Sequence, residues 1–185
     1  SNNQFIKILQ DTILDSFKRL IEPSIEREIR SDLTEKAEEQ AIKVFGENAK
    51  QLLLGAPLKD LVVMGFDPAY RTGCKIAVID ETGKVLDTVT VYPTAPQNKV
   101  EEAKAELKKL IKKYNISLIS VGNGTASRES EQVIVELLKE IPEKVQYVIV
   151  NEAGASVYSA SKLATEEFPQ FDVGQRSAAS IARRL

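Results

Sequence analysis

The chain contains no histidine, no tryptophan, one cysteine and one methionine among its 185 residues. Without histidine there is no imidazole general base, no Ser-His triad and no zinc site built from mixed Cys and His ligands. A lone cysteine, Cys74, excludes an internal disulfide and fits a reducing compartment. No uninterrupted apolar run approaches the ~20 residues that cross a bilayer, so no membrane partner is expected. A surplus of one charge is missing too: 25 Lys and Arg stand against 27 Asp and Glu, a net charge of -2. A freestanding nucleic-acid-binding domain is more often basic. Any nucleic-acid contact must therefore use a local patch, or belong to another part of a longer protein.

What is present is ordinary globular material, 43% hydrophobic and 28% charged. The length suits one full domain plus an appendage. Ser1-Asn2-Asn3 shows neither an initiator methionine nor a signal peptide and reads as the remnant of a tag. Ser180-Ile181-Ala182-Arg183-Arg184-Leu185 reads as a helix cut before any cap. Both ends lead to the expectation of a piece taken from something longer.

Residues 1–57 read as a helical arm. Phe5, Leu9, Ile13, Phe17 and Leu20 recur at three- and four-residue intervals and form one apolar stripe. Pro23 is expected to end or kink that helix, with Ser24 capping a short second one. A third follows Ser31, with Ala37, Ala41, Val44, Phe45 and Leu52 on one side. Gly55-Ala56-Pro57 marks a boundary, and residues 58–185 change pattern. Leu61 to Phe66 reads as a buried strand and Cys74 to Ile79 as a second. Asp80-Glu81-Thr82-Gly83 has the chemistry of a hairpin turn, and Val85 to Tyr92 reads as a third strand. An amphipathic helix spans Val100 to Tyr114, followed by a strand at Leu118 to Val121. A second helix is striped by Val133, Ile134, Leu137, Leu138 and Ile141, and a fifth strand covers Val145 to Val150. Helical signal resumes after Gly154 and near the C-terminus. Three strands joined by tight turns and then alternating helix and strand predict an α/β fold, a five-stranded mixed sheet flanked by helices.

Four places could carry chemistry. Asp67 follows the first buried strand, in Asp67-Pro68-Ala69-Tyr70-Arg71-Thr72-Gly73-Cys74-Lys75. A carboxylate there opens onto the sheet end, and the loop beyond offers Gly73, Arg71 and Lys75 to a phosphate oxygen or a carboxylate-bound metal. Asp67 could equally be a turn former that caps its own loop. Glu152 follows the apolar fifth strand, at the kind of strand end where such folds meet ligands, although helix dipoles favour acids in first turns as well. Asp172 precedes the last helix, where an N-cap role is the simpler reading. Gly122-Asn123-Gly124-Thr125 lies between a strand and a helix with Ser127 and Arg128 in its first turn. It could admit a phosphate, yet it lacks the Gly-Lys-Ser/Thr ending of a P-loop and could be a plain turn.

Together these strings resemble a known family. Pro23-Ser24-Ile25-Glu26-Arg27-Glu28 with Leu33-Thr34-Glu35-Lys36-Ala37-Glu38 resembles the helical arm of bacterial Tex-type transcription accessory proteins. The Asp67 to Lys75 segment resembles the opening of their YqgF domain. Asn151 to Ser159 and Ser177 to Leu185 resemble its later motifs. The resemblance implies a ribonuclease-H-like fold shared with Holliday-junction resolvases. It implies a cytoplasmic parent that binds nucleic acid and acts with the transcription machinery, related to a eukaryotic elongation factor. Helix-hairpin-helix units and an OB-fold RNA-binding domain would follow this segment. The arm would pack on helices lying elsewhere in that parent.

Carried over residue by residue, Asp67 matches the first-strand acid of the active nucleases and Glu152 the acid after their fifth strand. These two would be the ligands of any divalent ion, and they are expected side by side on neighbouring strands. At the third acid's place stands Gln175, with Asp172 a few residues earlier and Arg176 beside it. A neutral amide binds Mg²⁺ less well than a carboxylate, and an adjacent cation repels it. The expectation is a vestigial acidic cleft without a cofactor, a binding scaffold in which Arg71, Thr72, Lys75, Asn123 and Arg128 meet nucleic acid. The alternative is a Mg- or Mn-dependent, resolvase-like nuclease using Asp67, Glu152 and Asp172. Two further alternatives are an actin–sugar-kinase-type switch, which would need a duplicated domain, and a purely structural module.

Overall fold

The computed structural model describes residues 2–185. Ser1 and the side chains of Asn2, Leu52 and Leu53 lie outside the described residues, and with them part of the tag reading and the Leu52 end of the arm's stripe. By backbone proximity the chain divides into two units, Ser1–Gly55 and Ala56–Leu185.

The first unit is helical, but not in the expected three pieces. Helix α1 (Asn2–Ser16) passes through one wide π-helical turn (Phe17–Ile21) into α2 (Glu22–Leu53) without a break. Pro23 therefore does not end the helix, and Ser24 lies inside α2 instead of capping anything. A proline lacks the N–H for the i−4 carbonyl, and its ring clashes with that carbonyl. The turn just upstream pairs the Glu22 N–H with Phe17 O, five residues back. This extra residue puts Pro23 in the opening turn of α2, where a missing donor is tolerated. The apolar stripe is solvent-exposed along its length, with Phe5 67% and Phe45 74% accessible. Ion pairs one turn apart, Asp15 with Arg19 and Glu26 with Arg30, decorate the other faces. Each contributes a few tenths of a kcal/mol at such exposure.

The second unit is a five-stranded mixed sheet in the order β3-β2-β1-β4-β5. Its strands are β1 (Val63–Asp67), β2 (Cys74–Ile79), β3 (Val85–Val91), β4 (Leu118–Gly122) and β5 (Gln146–Val150). The first three form an antiparallel meander. β4 then runs parallel to β1, and β5 parallel to β4. The hairpin joining β2 to β3 closes as its chemistry requires. Asp80 Oδ1 accepts from the Thr82 N–H at 2.9 Å and the Lys84 N–H at 3.0 Å, and Gly83 sits at φ 82°. Helices α3 (Val100–Tyr114) and α4 (Ser127–Glu140) follow β3 and β4. α5 (Ala153–Ser159), α6 (Lys162–Glu167) and α7 (Val173–Ala182) follow β5.

The two faces of the sheet differ in side-chain size. Met64, Phe66, Ile76, Val78, Ile119 and Val121 meet Leu107, Ile111, Ile134 and Leu137 of α3 and α4 in the main core. The opposite face is built from small residues so that α7 can lie directly on the strands. A methyl group added at Gly65 would overlap the Ala178 carbonyl, and Ala77 packs with Ala178 and Ala179. The Ser120 hydroxyl donates to Ile181 O at 2.7 Å. The last helix, expected to be cut before a cap, stops at Ala182. Arg183 serves as its C-cap and also donates to Gly83 O at 2.8 Å.

Candidate nucleic-acid interface and acidic pair

The C-terminal ends of β1, β4 and β5 point the same way, so the residues that follow them gather at one end of the sheet. Asp67 closes β1, and Glu152 occupies the N-cap position of α5, two residues after β5. The sequence led to the expectation of neighbouring strands; the structure corrects it, because β4 runs between β1 and β5. The carboxylates nevertheless act on one another, since β4 ends in glycine. A methyl group at Gly122 or Gly124 would overlap the Glu152 carboxyl. The two bare backbones thus form a notch that admits this side chain toward Asp67. The Asn123 N–H donates to Val150 O at 3.0 Å, and its side-chain Oδ1 accepts from the Glu152 N–H at 3.2 Å. The Gly-Asn-Gly turn is therefore filled by a carboxylate, and Asn123 positions that carboxylate instead of facing an open phosphate cradle.

Burial sets the electrostatics. The Asp67 carboxyl is pushed up from 3.8 to about 6, first by desolvation and further by the negative charge of Glu152. The Ser177 hydroxyl on α7 and the Lys75 ammonium oppose the rise. Glu152 Oε2 is buried and has no hydrogen-bond partner, an orphan acceptor beside a second acid. The two glycines stand out in the sequence as a turn, but not as the seat of Glu152, and Ser177 does not stand out as a partner of Asp67. Ser177 was legible as one of the small residues spaced along α7's sheet-facing side.

The third acidic position has another occupation. Asp172 is the N-cap of α7: its Oδ1 accepts from the Gln175 N–H at 2.7 Å, and Gln175 Oε1 accepts from the Asp172 N–H at 2.9 Å. This reciprocal capping box engages Asp172 Oδ1 and the Gln175 amide oxygen. The amide of Gln175 further donates to Thr88 Oγ1 on β3 at 3.1 Å. Among the described residues, no three His, Cys, Asp or Glu side chains lie close enough together to hold a metal ion. A cage of three carboxylates therefore does not fit, and Asp67 and Glu152 remain the two acids that could contact Mg²⁺ or Mn²⁺. Arg176, expected to repel such an ion, is buried and turned away. It donates to Phe168 O at 3.1 Å and to Thr165 Oγ1 at 3.0 Å, and is not among the charges that act on Asp67.

The cations expected to meet phosphate are placed unequally. The Lys75 ammonium folds back on its own loop and donates to Thr72 O at 2.6 Å and Gly73 O at 3.1 Å. Arg71 is exposed beside the exposed Thr72, in a loop pinned by the Gln97 amide donating to Arg71 O at 2.9 Å. Arg128 is exposed in the first turn of α4, next to Glu129, which accepts from the Tyr70 hydroxyl at 2.9 Å.

Comparison with known proteins identifies the family and the fold. The Tex protein YqgF-like domain family matches residues 61–185. The chain is 62% identical over 179 residues to the Bacillus subtilis protein YdcI, covering 97% of this chain and 25% of that one. It is 48% identical over 180 residues to the transcriptional accessory protein Tex of Neisseria gonorrhoeae, covering 97% of this chain and 23% of that protein. The chain thus spans about a quarter of the length of these curated relatives. Among solved structures, Thermus thermophilus RuvC superposes with a TM-score of 0.50 at 16% identity, over 67% of this chain and 92% of RuvC. That likeness concerns the fold alone, which is ribonuclease-H-like.

Proposed function

The chain belongs to the Tex protein YqgF-like domain family, and on that premise we propose that it serves as a nucleic-acid-binding scaffold of a transcription accessory protein and does not cleave what it binds. The observation carrying this reading is the capping box. Asp172 and Gln175 hold the start of α7 in the place where a nuclease would present its third metal ligand. In the longer protein, other domains would supply much of the affinity, in keeping with a net charge of -2 here. The transcription machinery in the cytoplasm is the setting we assign to it. The exposed apolar stripe of α1 and α2 would be covered by further helices of the same protein.

A second reading is a Mg- or Mn-dependent nuclease. It draws on the buried, unpartnered Glu152 Oε2 beside Asp67. One experiment separates the two: junction, duplex and single-stranded substrates are incubated with the chain and Mn²⁺, and both binding and cleavage are scored. The scaffold reading expects bound substrate recovered intact. Cleavage that disappears in Asp67→Asn would replace it with the nuclease.

A further inference from the structure

One aromatic side chain has no role in the core or in the acidic pair. Tyr92 follows β3 and is 37% exposed, while its neighbour Val91 is buried among the α3 side. Its ring sits on Gly73: a Cβ at that glycine would come within 2.6 Å of the ring's Cε1 and 2.7 Å of the Thr90 methyl. Gly73 lies at φ 80° and closes the Tyr70–Gly73 turn, its N–H donating to Tyr70 O at 3.3 Å. The ring is thereby seated on that turn and partly open to solvent. On that turn stand Arg71, which has no ion pair among the described residues, and Thr72. The other cations nearby are engaged, Lys99 with Glu102 and Lys75 with loop carbonyls.

The strand register shows what this turn faces. Asp67 pairs with Lys75, and Lys75 with Thr90. Cross-strand partners share a face, so Asp67, Lys75 and Thr90 form one row across the sheet end. Tyr92, two residues beyond Thr90, lies on that same face. Two strand spacings, about 10 Å, separate the row's acidic end from the strand that carries Tyr92.

We propose that Tyr92, seated on Gly73, is a stacking platform for an unpaired nucleobase, and that with Arg71 it guides a single nucleic-acid strand along the β2–β3 end of the sheet beside Asp67. A π-face with an adjacent guanidinium and hydroxyl matches a base and its phosphate, whereas paired bases offer no free face to stack. The proposal rests on the nucleic-acid-binding reading above and adds the residue that would select unpaired strands.

The test is fluorescence anisotropy with a labelled single-stranded oligonucleotide, as RNA and as DNA, against a duplex of the same sequence. Tyr92→Ala should weaken single-strand binding by about 5- to 150-fold, leaving the salt dependence unchanged, and Tyr92→Phe should retain affinity. Arg71→Ala should weaken binding and lower the salt slope by about one. Wild-type affinity in Tyr92→Ala overturns the platform while leaving the scaffold reading intact. A wild-type chain that binds no oligonucleotide overturns both. An independent check needs no variant: irradiating a 5-iodouracil strand on the wild-type chain should cross-link the peptide that carries Tyr92. Cross-links confined to other peptides would refute the assignment.

Discussion

Asp67→Asn is expected to stabilise the chain at neutral pH, the reverse of what removing a buried hydrogen-bonding charge usually does. The folded-state carboxyl titrates at about 6 against 3.8 for the ordinary group. The folded state therefore holds a proton that the unfolded state has already released. The sign follows: stability is fully present below 3.8, falls as pH rises from 3.8 to about 6, and stays at its reduced level above that. At 1.36 kcal/mol per tenfold change the interval amounts to about 3 kcal/mol, an upper bound once local relaxation is allowed. Asparagine imitates the protonated form, so the variant should gain up to ~3 kcal/mol at pH 7.5 and nothing near pH 4. Urea unfolding followed by circular dichroism suits a chain without tryptophan, with EDTA present to remove divalent ions. For a chain of this size the gain corresponds to a melting shift of roughly 6–12 °C. A variant no more stable than wild type at pH 7.5, or equally stabilised at pH 4, would show that burial does not govern this carboxyl.

Two further substitutions test the surroundings of the pair. Gly124→Ala should force Glu152 out of its notch and cost about 1–3 kcal/mol of stability, because the overlap is with an entire carboxyl group. Carbon-detected NMR of Asp67 should then find its titration moved down toward 3.8, since the neighbouring negative charge has gone. Asp172→Ala should cost about 1 kcal/mol and speed hydrogen exchange of the amides at 173–176, whereas Asp172→Asn should be nearly neutral, because either Asp or Asn can accept from the Gln175 N–H.

Most of the fold could be read from local pattern. The strands at Val63–Asp67, Cys74–Ile79 and Val85–Val91 are short apolar or alternating runs, and their length together with the turn formers on either side identifies them. Helices α3 and α4 carry three- and four-residue stripes that match the faces they bury. Pro23 does not end the helix, because the rule against proline inside a helix assumes an i−4 ladder. The π-turn before it shifts that ladder by one residue, and nothing in Phe17-Lys18-Arg19-Leu20-Ile21 announces it.

The site was legible in its parts but not in its arrangement. Asp67 and Glu152 stand out as acids after apolar strands, yet which strand lies beside which is a property of the whole sheet. β4 enters between β1 and β5 only when the crossover through α3 is complete. Gly122 and Gly124 have the same local signature whether they clear space for a phosphate or for a side chain. Only the position of Glu152, 28 residues beyond Gly124 in sequence, decides between these. Asp172 followed three residues later by Gln175 is the spacing of a capping box, and there the simpler of the two readings could be taken from the sequence itself.

The distribution of charge around the pair also constrains where a strand can run. Lys75 is turned to its loop carbonyls and Arg176 to the end of α6, so neither forms an ion pair with Asp67 or Glu152. Of these two acids, Asp67 is ionised above pH 6. A phosphate at 4 Å from it would be repelled by about 4 kcal/mol at an effective dielectric constant of 20. A nucleic-acid backbone laid directly across the notch is therefore disfavoured at neutral pH. On the β2–β3 side, Arg71 and Thr72 offer a cation and a hydroxyl, Tyr92 offers a ring face beside them, and the nearby Glu102 is paired with Lys99. The same carboxylates that would draw a divalent ion in a nuclease here push the strand sideways, onto the turn that Gln97 and Lys75 tie down through Arg71 O and Thr72 O.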